Sequence, residues 1–259
     1  MFCNRQWFLW LVVLFSTGNI LLAEKQTAEI QSAKFLDAVI VDDLEVEDDS
    51  LDSIVQDLGS YSERFSYSIE SRSPAKGEAF DDRKTSLTFK KGLTVRQALD
   101  ILQAQFKDFT WSIDRGVVNI IQKGLLKDPN WPLNKKIREF RVKTNHVFLG
   151  NDLADHLPGL PHYGVGHLLG ANPSIAKSPY LRMNLANVTA RDVLNAYVSD
   201  PEVRKRAIIR WRGYKLSDSK EVNVSLSIIH RNSPTEGGKD PDDQNKIDEE
   251  LPTQLQKTR

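Results

Sequence analysis

Cysteine is nearly missing from this chain of 259 residues: the single copy, Cys3, lies among the first few positions. Beyond it there can be no disulfide, no thiol nucleophile and no cysteine metal ligand. An excess of charge of either sign is also missing, with 35 basic against 35 acidic residues. That balance gives no case for nucleic acid or an acidic membrane surface as partner. Gly-x-Ser-x-Gly, a phosphate-cradling glycine loop and His-Glu-x-x-His are all absent, which removes the common nucleophile, nucleotide and zinc-protease signatures. No cofactor is implied. The apolar run from Trp7 to Phe15 falls short of the ~20 residues that a membrane span needs.

What the amino terminus does have is Arg5, that apolar run, and a looser continuation to Leu21-Leu22-Ala23. A basic start, a short apolar stretch and a small residue at its end describe a secretory leader, residues 1–23, cleaved near Ala23–Glu24. A retained anchor is the alternative, but Ser16, Thr17, Gly18 and Asn19 interrupt the stretch. Glu24, where a lipoprotein would carry cysteine, speaks against a lipid anchor. The expectation is an exported, periplasmic or secreted protein with no stable membrane span after cleavage. Without disulfides its stability must come from a hydrophobic core, and roughly 190 ordered residues suffice for one or two.

One signature occurs twice, about 95 residues apart. Leu87-x-Phe89 leads into Leu93-Thr94-Val95-Arg96-Gln97-Ala98-Leu99-Asp100, and Met183-x-Leu185 leads into Val188-Thr189-Ala190-Arg191-Asp192-Val193-Leu194-Asn195. Each reads as strand, turn and capped helix, followed by an aromatic strand pair around Trp111 or Trp211. Thr94 with Gln97 forms a capping box, and Val95, Ala98, Leu99 and Leu102 make an apolar stripe. Upstream, Val39 to Glu47 alternates as a strand, Leu51, Ile54, Val55 and Leu58 follow at helical spacing, and Phe65, Tyr67 and Ile69 alternate again. Asp114-Arg115-Gly116 predicts a hairpin turn between Phe109–Ile113 and Val117–Ile121.

Leu125 to Lys136, with Pro129 and Pro132, reads as a linker. Past it, Phe140 and Val142 suggest a strand, Leu149, Leu153 and Leu157 a helix face, and Ala207–Trp211 with Val222–Ile229 a closing strand pair. The expectation is an α+β fold of two tandem small domains of βαβ-βαββ type, with mixed sheets and helices packed on one face. The first domain spans residues 36–123, the linker 124–136, and the second domain 137–230 with a loop insert at 158–179. Residues 231–259 are charge-rich with few large apolar side chains, the composition of a disordered tail.

Ser86-Leu87-Thr88-Phe89, the Ala98-Leu99 pair and Trp111 to Ile121 resemble the short amino-terminal domain of secretins and TonB-dependent receptors. The second copy fits it more loosely at Met183 to Leu185, Val193-Leu194 and Ile208 to Ile228. No outer-membrane barrel follows His230, so pore formation and uptake are not implied. The resemblance implies instead a non-enzymatic module that works by protein–protein contact in the cell envelope, with an envelope protein as partner.

Two residue groups are candidates for more. Asp152, His156, His162 and His167 could supply a zinc site for a metal-dependent hydrolase, since Asp152 and His156 sit four apart on one helix face. The plainer reading is a structured loop packing Leu160, Val165, Leu168 and Leu169. Arg204, Arg206, Arg210, Trp211, Arg212 and Tyr214 form the one local basic patch, suited to an acidic partner or to stacking on a glycan such as peptidoglycan. There the plainer reading keeps Trp211 in the core. Asp42, Asp43, Glu45, Glu47, Asp48 and Asp49 lack the spacing of a calcium loop and read as a solvated strand face.

Overall fold

Both repeats place a threonine at the start of a helix. The computed structural model describes residues 34–62, 64–73, 84–162, 180–216 and 219–231. The expected leader and tail, and most of the insert at 158–179, lie outside them. The first repeat contributes strands β1 (Leu44–Ser50), β2 (Ser66–Arg72), β3 (Lys84–Phe89), β4 (Phe109–Asp114) and β5 (Val117–Gln122), with helices α1 (Leu51–Ser60) and α2 (Val95–Gln105). The second contributes β6 (Lys136–Thr144), β7 (Leu181–Thr189), β8 (Ala207–Lys215) and β9 (Asn223–Arg231), with helices α3 (Leu149–Ala154), α4 (Ala190–Ser199) and the short α5 (Pro201–Arg204).

Local chemistry explains the repeat. The Thr94 hydroxyl accepts from the Gln97 amide and the Thr189 hydroxyl from the Asp192 amide, and each third-position side chain returns a bond to the cap backbone. Two orphan donors are thereby satisfied at each helix start. Two residues before each cap the backbone turns left-handed, at Gly92 (φ 89°) in one copy and Asn187 (φ 54°) in the other. Glycine and asparagine are the residues that tolerate this conformation best. Arg115 (φ 53°) and Gly116 (φ 75°) form the two-residue turn between β4 and β5, whose twist matches the flanking strands.

The fold is α+β with mixed sheets. β1 pairs antiparallel with β3, and β6 with β7, as separate two-stranded ribbons. The remaining strands join in one five-stranded sheet of order β4-β5-β2-β8-β9. Its three central strands run parallel, since β2 pairs in parallel with both β5 and β8. The sheet therefore crosses the boundary between the repeats, where two separate sheets were expected.

Each repeat packs its helices on one face of this sheet, and the two repeats use opposite faces. Tyr67, Ile69, Val118 and Ile120 face α1 and α2, whose Ile54, Val55, Ala98 and Leu99 are buried with them. Val117, Ile121, Ile209 and Trp211 face the other way, onto Leu149, Leu153, Val193 and Leu194 of α3 and α4. Strand alternation on β5 thus feeds two cores from one strand.

Two expectations need correcting. Residues 124–136 do not behave as a linker: Leu125, Trp131 and Leu133 are buried in the second core, and the prolines shape tight turns around them. Their apolar side chains outweigh the turn signal once a sheet face needs covering. Gly213 is what admits them, because a Cβ there would lie 2.5 Å from Leu133 Cδ1. The first strand also begins later than expected, at Leu44. Val39 and Val41 are exposed, and Val39 makes only an isolated bridge to Thr94.

Leu99 and Leu194 are buried in different cores of one shared sheet. Thr94→Ala or Thr189→Ala should cost about 1 kcal/mol, and Leu99→Ala or Leu194→Ala ~2–5 kcal/mol. The two leucine effects should add, since the cores share no partner of either residue. Denaturant titration should nevertheless show one transition, coincident by fluorescence and circular dichroism. Two resolved transitions would contradict the shared sheet.

Candidate functional site

Alternation along β8 divides the basic patch that the sequence suggests. Trp211 points to the second core, fully buried, and its indole Nε1 donates to Asn195 Oδ1 at 2.9 Å. Arg210 and Arg212 point to the other face. There Arg210 forms a close ion pair with Asp52 of α1, and Arg212 Nη1 lies 3.9 Å from the same carboxylate. Tyr67 donates its hydroxyl to Asp52 Oδ1 at 2.8 Å. Arg212 also stacks on Tyr214, 5.7 Å from its ring centre. Arg204 and Arg206 sit apart, at the end of α5 and just beyond it. Trp211 is buried, so its ring does not lie open beside these arginines for a glycan to stack on.

This cluster is a clamp between repeats. Burial pushes the Tyr67 phenol far above its ordinary value near 10, and the neighbouring Asp52 carboxylate adds to the effect. Tyr197 is raised as well, again mainly by burial.

On the opposite face a second clamp escaped the sequence reading. Glu70 of β2 is fully buried. Arg191 of α4 holds both its oxygens, Trp131 Nε1 donates to Oε2 at 2.8 Å, and Arg191 Nη2 also reaches Asn134 Oδ1 at 2.8 Å. Burial works against the Arg191 charge, but Glu70 outweighs it and the guanidinium is held above its ordinary value. One helical turn on, Asn195 Nδ2 donates to Asn119 Oδ1 and Asp114 Oδ2, each at 3.0 Å, while Ser68 donates to Asn119 Oδ1 at 2.9 Å. Arg191 and Asn195 are four apart on the helix face that carries Leu194. That polar pair beside an apolar stripe was the available signal.

The zinc candidates do not converge. His156 Nδ1 lies 2.8 Å from the backbone oxygen of Asp152, and its ring packs 5.0 Å from Phe140. His162 Nδ1 is 3.8 Å from Asp155 Oδ1. Among the described residues no three His, Cys, Asp or Glu side chains gather into a metal cluster. His167 lies outside those residues. The acidic run is used in cross-strand pairs: Lys90 reaches Asp43 at 2.9 Å and Lys84 reaches Asp48 at 3.0 Å. The Lys91 amide and the Lys90 ammonium together hold the Asp43 carboxyl below its ordinary value.

Two surface features remain. The first is the pair of sheet edges. On β4 the Trp111 amide is capped by Gln103 Oε1 at 3.1 Å and the Phe109 amide by the Phe106 carbonyl at 2.9 Å. On β9 no strand among the described residues pairs with the outer side. Residues 225–229 there read Ser-Leu-Ser-Ile-Ile, without charge or proline. The second feature is a cleft of about 620 Å³ at the carboxyl ends of β2 and β8, lined among others by Arg72, Asp128, Trp131, Lys135, Lys215 and Lys220. Comparison with protein families, with characterised proteins and with solved structures finds no match to this chain. Among the described residues no helix is long and apolar enough to cross a membrane.

Glu70→Gln would leave the Arg191 guanidinium buried with a weakened partner. A loss of up to ~3–5 kcal/mol is expected, the range for breaking a buried pair, and Glu70→Gln/Arg191→Met should recover part of it. Thermal melts of the three proteins check this. The raised phenols give a second expectation. The folded chain keeps protons on Tyr67 and Tyr197 that the unfolded chain releases above pH ~10, so stability holds below that pH and declines as pH rises past it. Tyr67→Phe should flatten that decline in denaturation curves taken between pH 9 and 11.

Proposed function

We propose that this chain is a non-enzymatic interaction module of the cell envelope that receives an extended segment of a protein partner on the outer edge of β9. The observation that carries the reading is the contrast between the two edges of the five-stranded sheet. An unpaired edge offers a row of backbone donors and acceptors, and proteins ordinarily blunt such rows with charge, proline or a covering group. β4 carries such covering, at Trp111 and Phe109. Residues 225–229 of β9 carry no charge or proline of their own. A partner strand would gain main-chain hydrogen bonds there, with alternate side chains reading its sequence.

The resemblance to the short domain of secretins and TonB-dependent receptors supports the same reading, as protein contact is that domain's usual role. The leader expected at residues 1–23 supports the envelope as its setting. The segment at 163–179, beside the zinc candidates, lies outside the described residues, and no specific observation favours a hydrolase over a binding role.

Ser225→Lys/Ser227→Lys adds charge along the edge and leaves the buried side chains of β9 in place. The unaltered chain, recovered from envelope extracts, should bring down a specific protein. The double variant should keep its melting temperature and lose that protein. Recovery of the same partner by both forms, or of none by either, would remove the β9 edge as the binding surface.

A further inference from the structure

We infer that the cleft at the carboxyl ends of β2 and β8 is a binding site for a phosphate-bearing ligand. The first support is topological. β5, β2 and β8 are parallel, so their carboxyl ends lie together. The chain that leaves β2 goes on to β3 and α2, on the face of the first core. The chain that leaves β5 turns instead through residues 124–136 to the face of the second core. Where connections from adjacent parallel strands depart to opposite faces, a crevice opens outside the strand ends, and in open α/β sheets ligands bind there. The cleft lies next to that place, at the carboxyl ends of β2 and β8, and residues 128–132 of the connection that leaves β5 form one of its walls.

The second support is charge. The whole chain is balanced, yet among the described residues Arg72, Lys135, Lys215 and Lys220 line the cleft against one carboxylate, Asp128. Arg72 Nη2 bonds to Asp128 Oδ2 at 2.6 Å and its guanidinium lies 5.5 Å over the Trp131 ring, so this fork is fixed in place. Lys135 makes one long bond, 3.4 Å, to the Pro158 carbonyl. Neither Lys215 nor Lys220 takes part in an ion pair among the described residues. Carboxylates are best recognised by the bidentate arginine fork, and here one arm of that fork is already held by Asp128. What remains is a set of ammonium point charges, which suit a tetrahedral anion of higher charge. At about 620 Å³ the space fits a small phosphorylated molecule or one lipid headgroup.

The carboxyl terminus of β9 pairs with the start of β8, at the far end of the sheet from the cleft. The site is independent of the β9 edge.

Calorimetry of the full chain with inorganic pyrophosphate at low salt tests the assignment. Saturable binding is expected, weakening with added salt, and roughly tenfold or more weaker in Lys135→Gln/Lys215→Gln/Lys220→Gln. Lys205→Gln/Arg206→Gln, which removes exposed charge elsewhere, should bind as the unaltered chain does. Absence of saturable binding, equal binding by the triple variant, or succinate binding as tightly as pyrophosphate would each overturn the proposal. Glycerol 3-phosphate and phosphatidylglycerol vesicles then separate the sources. Binding of the free ester assigns a soluble ligand, binding of vesicles alone assigns a headgroup, and binding of neither counts against the site.

Discussion

Everything in this fold depends on a carboxylate that has no access to water. Glu70 sits at the centre of a five-stranded sheet, with Arg191 and Trp131 closing over it. An ionised group removed from solvent is tolerated only where its charge and its lone pairs are matched. Among the described residues, every side-chain partner of Glu70 comes from beyond the first repeat: a guanidinium from α4 and an indole from the turns between β5 and β6. Asp52 plays the reciprocal part on the other face, taking Arg210 and Arg212 from the second repeat onto a helix of the first. The first repeat thus sets a carboxylate on each side of the sheet, and the second supplies the arginines that neutralise both. The two cores stay apart in composition, yet neither half is electrostatically complete alone.

The same pair of clamps explains what sequence reading could and could not reach. Helix starts are local chemistry, so Thr94, Gln97 and Thr189 announced themselves, and the buried stripes at Leu99 and Leu194 followed from periodicity. The alternation of Tyr67 and Ile69 with Ser66, Ser68 and Glu70 was equally legible as a strand with one apolar face. That pattern ordinarily means a wet polar face. Here the polar face is buried against a second layer, and no local signal distinguishes the two cases. The shared sheet was hidden for that reason. Residues 124–136 misled for a related one, since prolines set the turns while Trp131 and Leu133 carry the packing.

The candidate surfaces follow from this architecture more than from any motif. Trp211 between arginines looked like a recognition patch, and strand geometry sent both arginines to the face opposite the indole. The features that remain at the surface are consequences of joining two repeats through β2. One is an edge strand that neither repeat covers among the described residues. The other is a crevice at the carboxyl ends of β2 and β8, lined by lysines that are scattered in sequence between Lys135 and Lys220. Residues so far apart form no pattern in a linear reading.

The pairing of β2 with β8 also constrains when this protein can become itself. Tyr67 lies opposite Arg210, and the Ser66 hydroxyl accepts from the Ile209 amide across 143 positions of chain. A ladder joining segments so distant forms slowly, because a long loop must close before its contacts return anything. During synthesis the first repeat emerges with the Glu70 face of its sheet bare, and stays so until β8 has followed. A nascent chain of this kind resists premature locking. Its final structure is fastened only once its own last strands have been made.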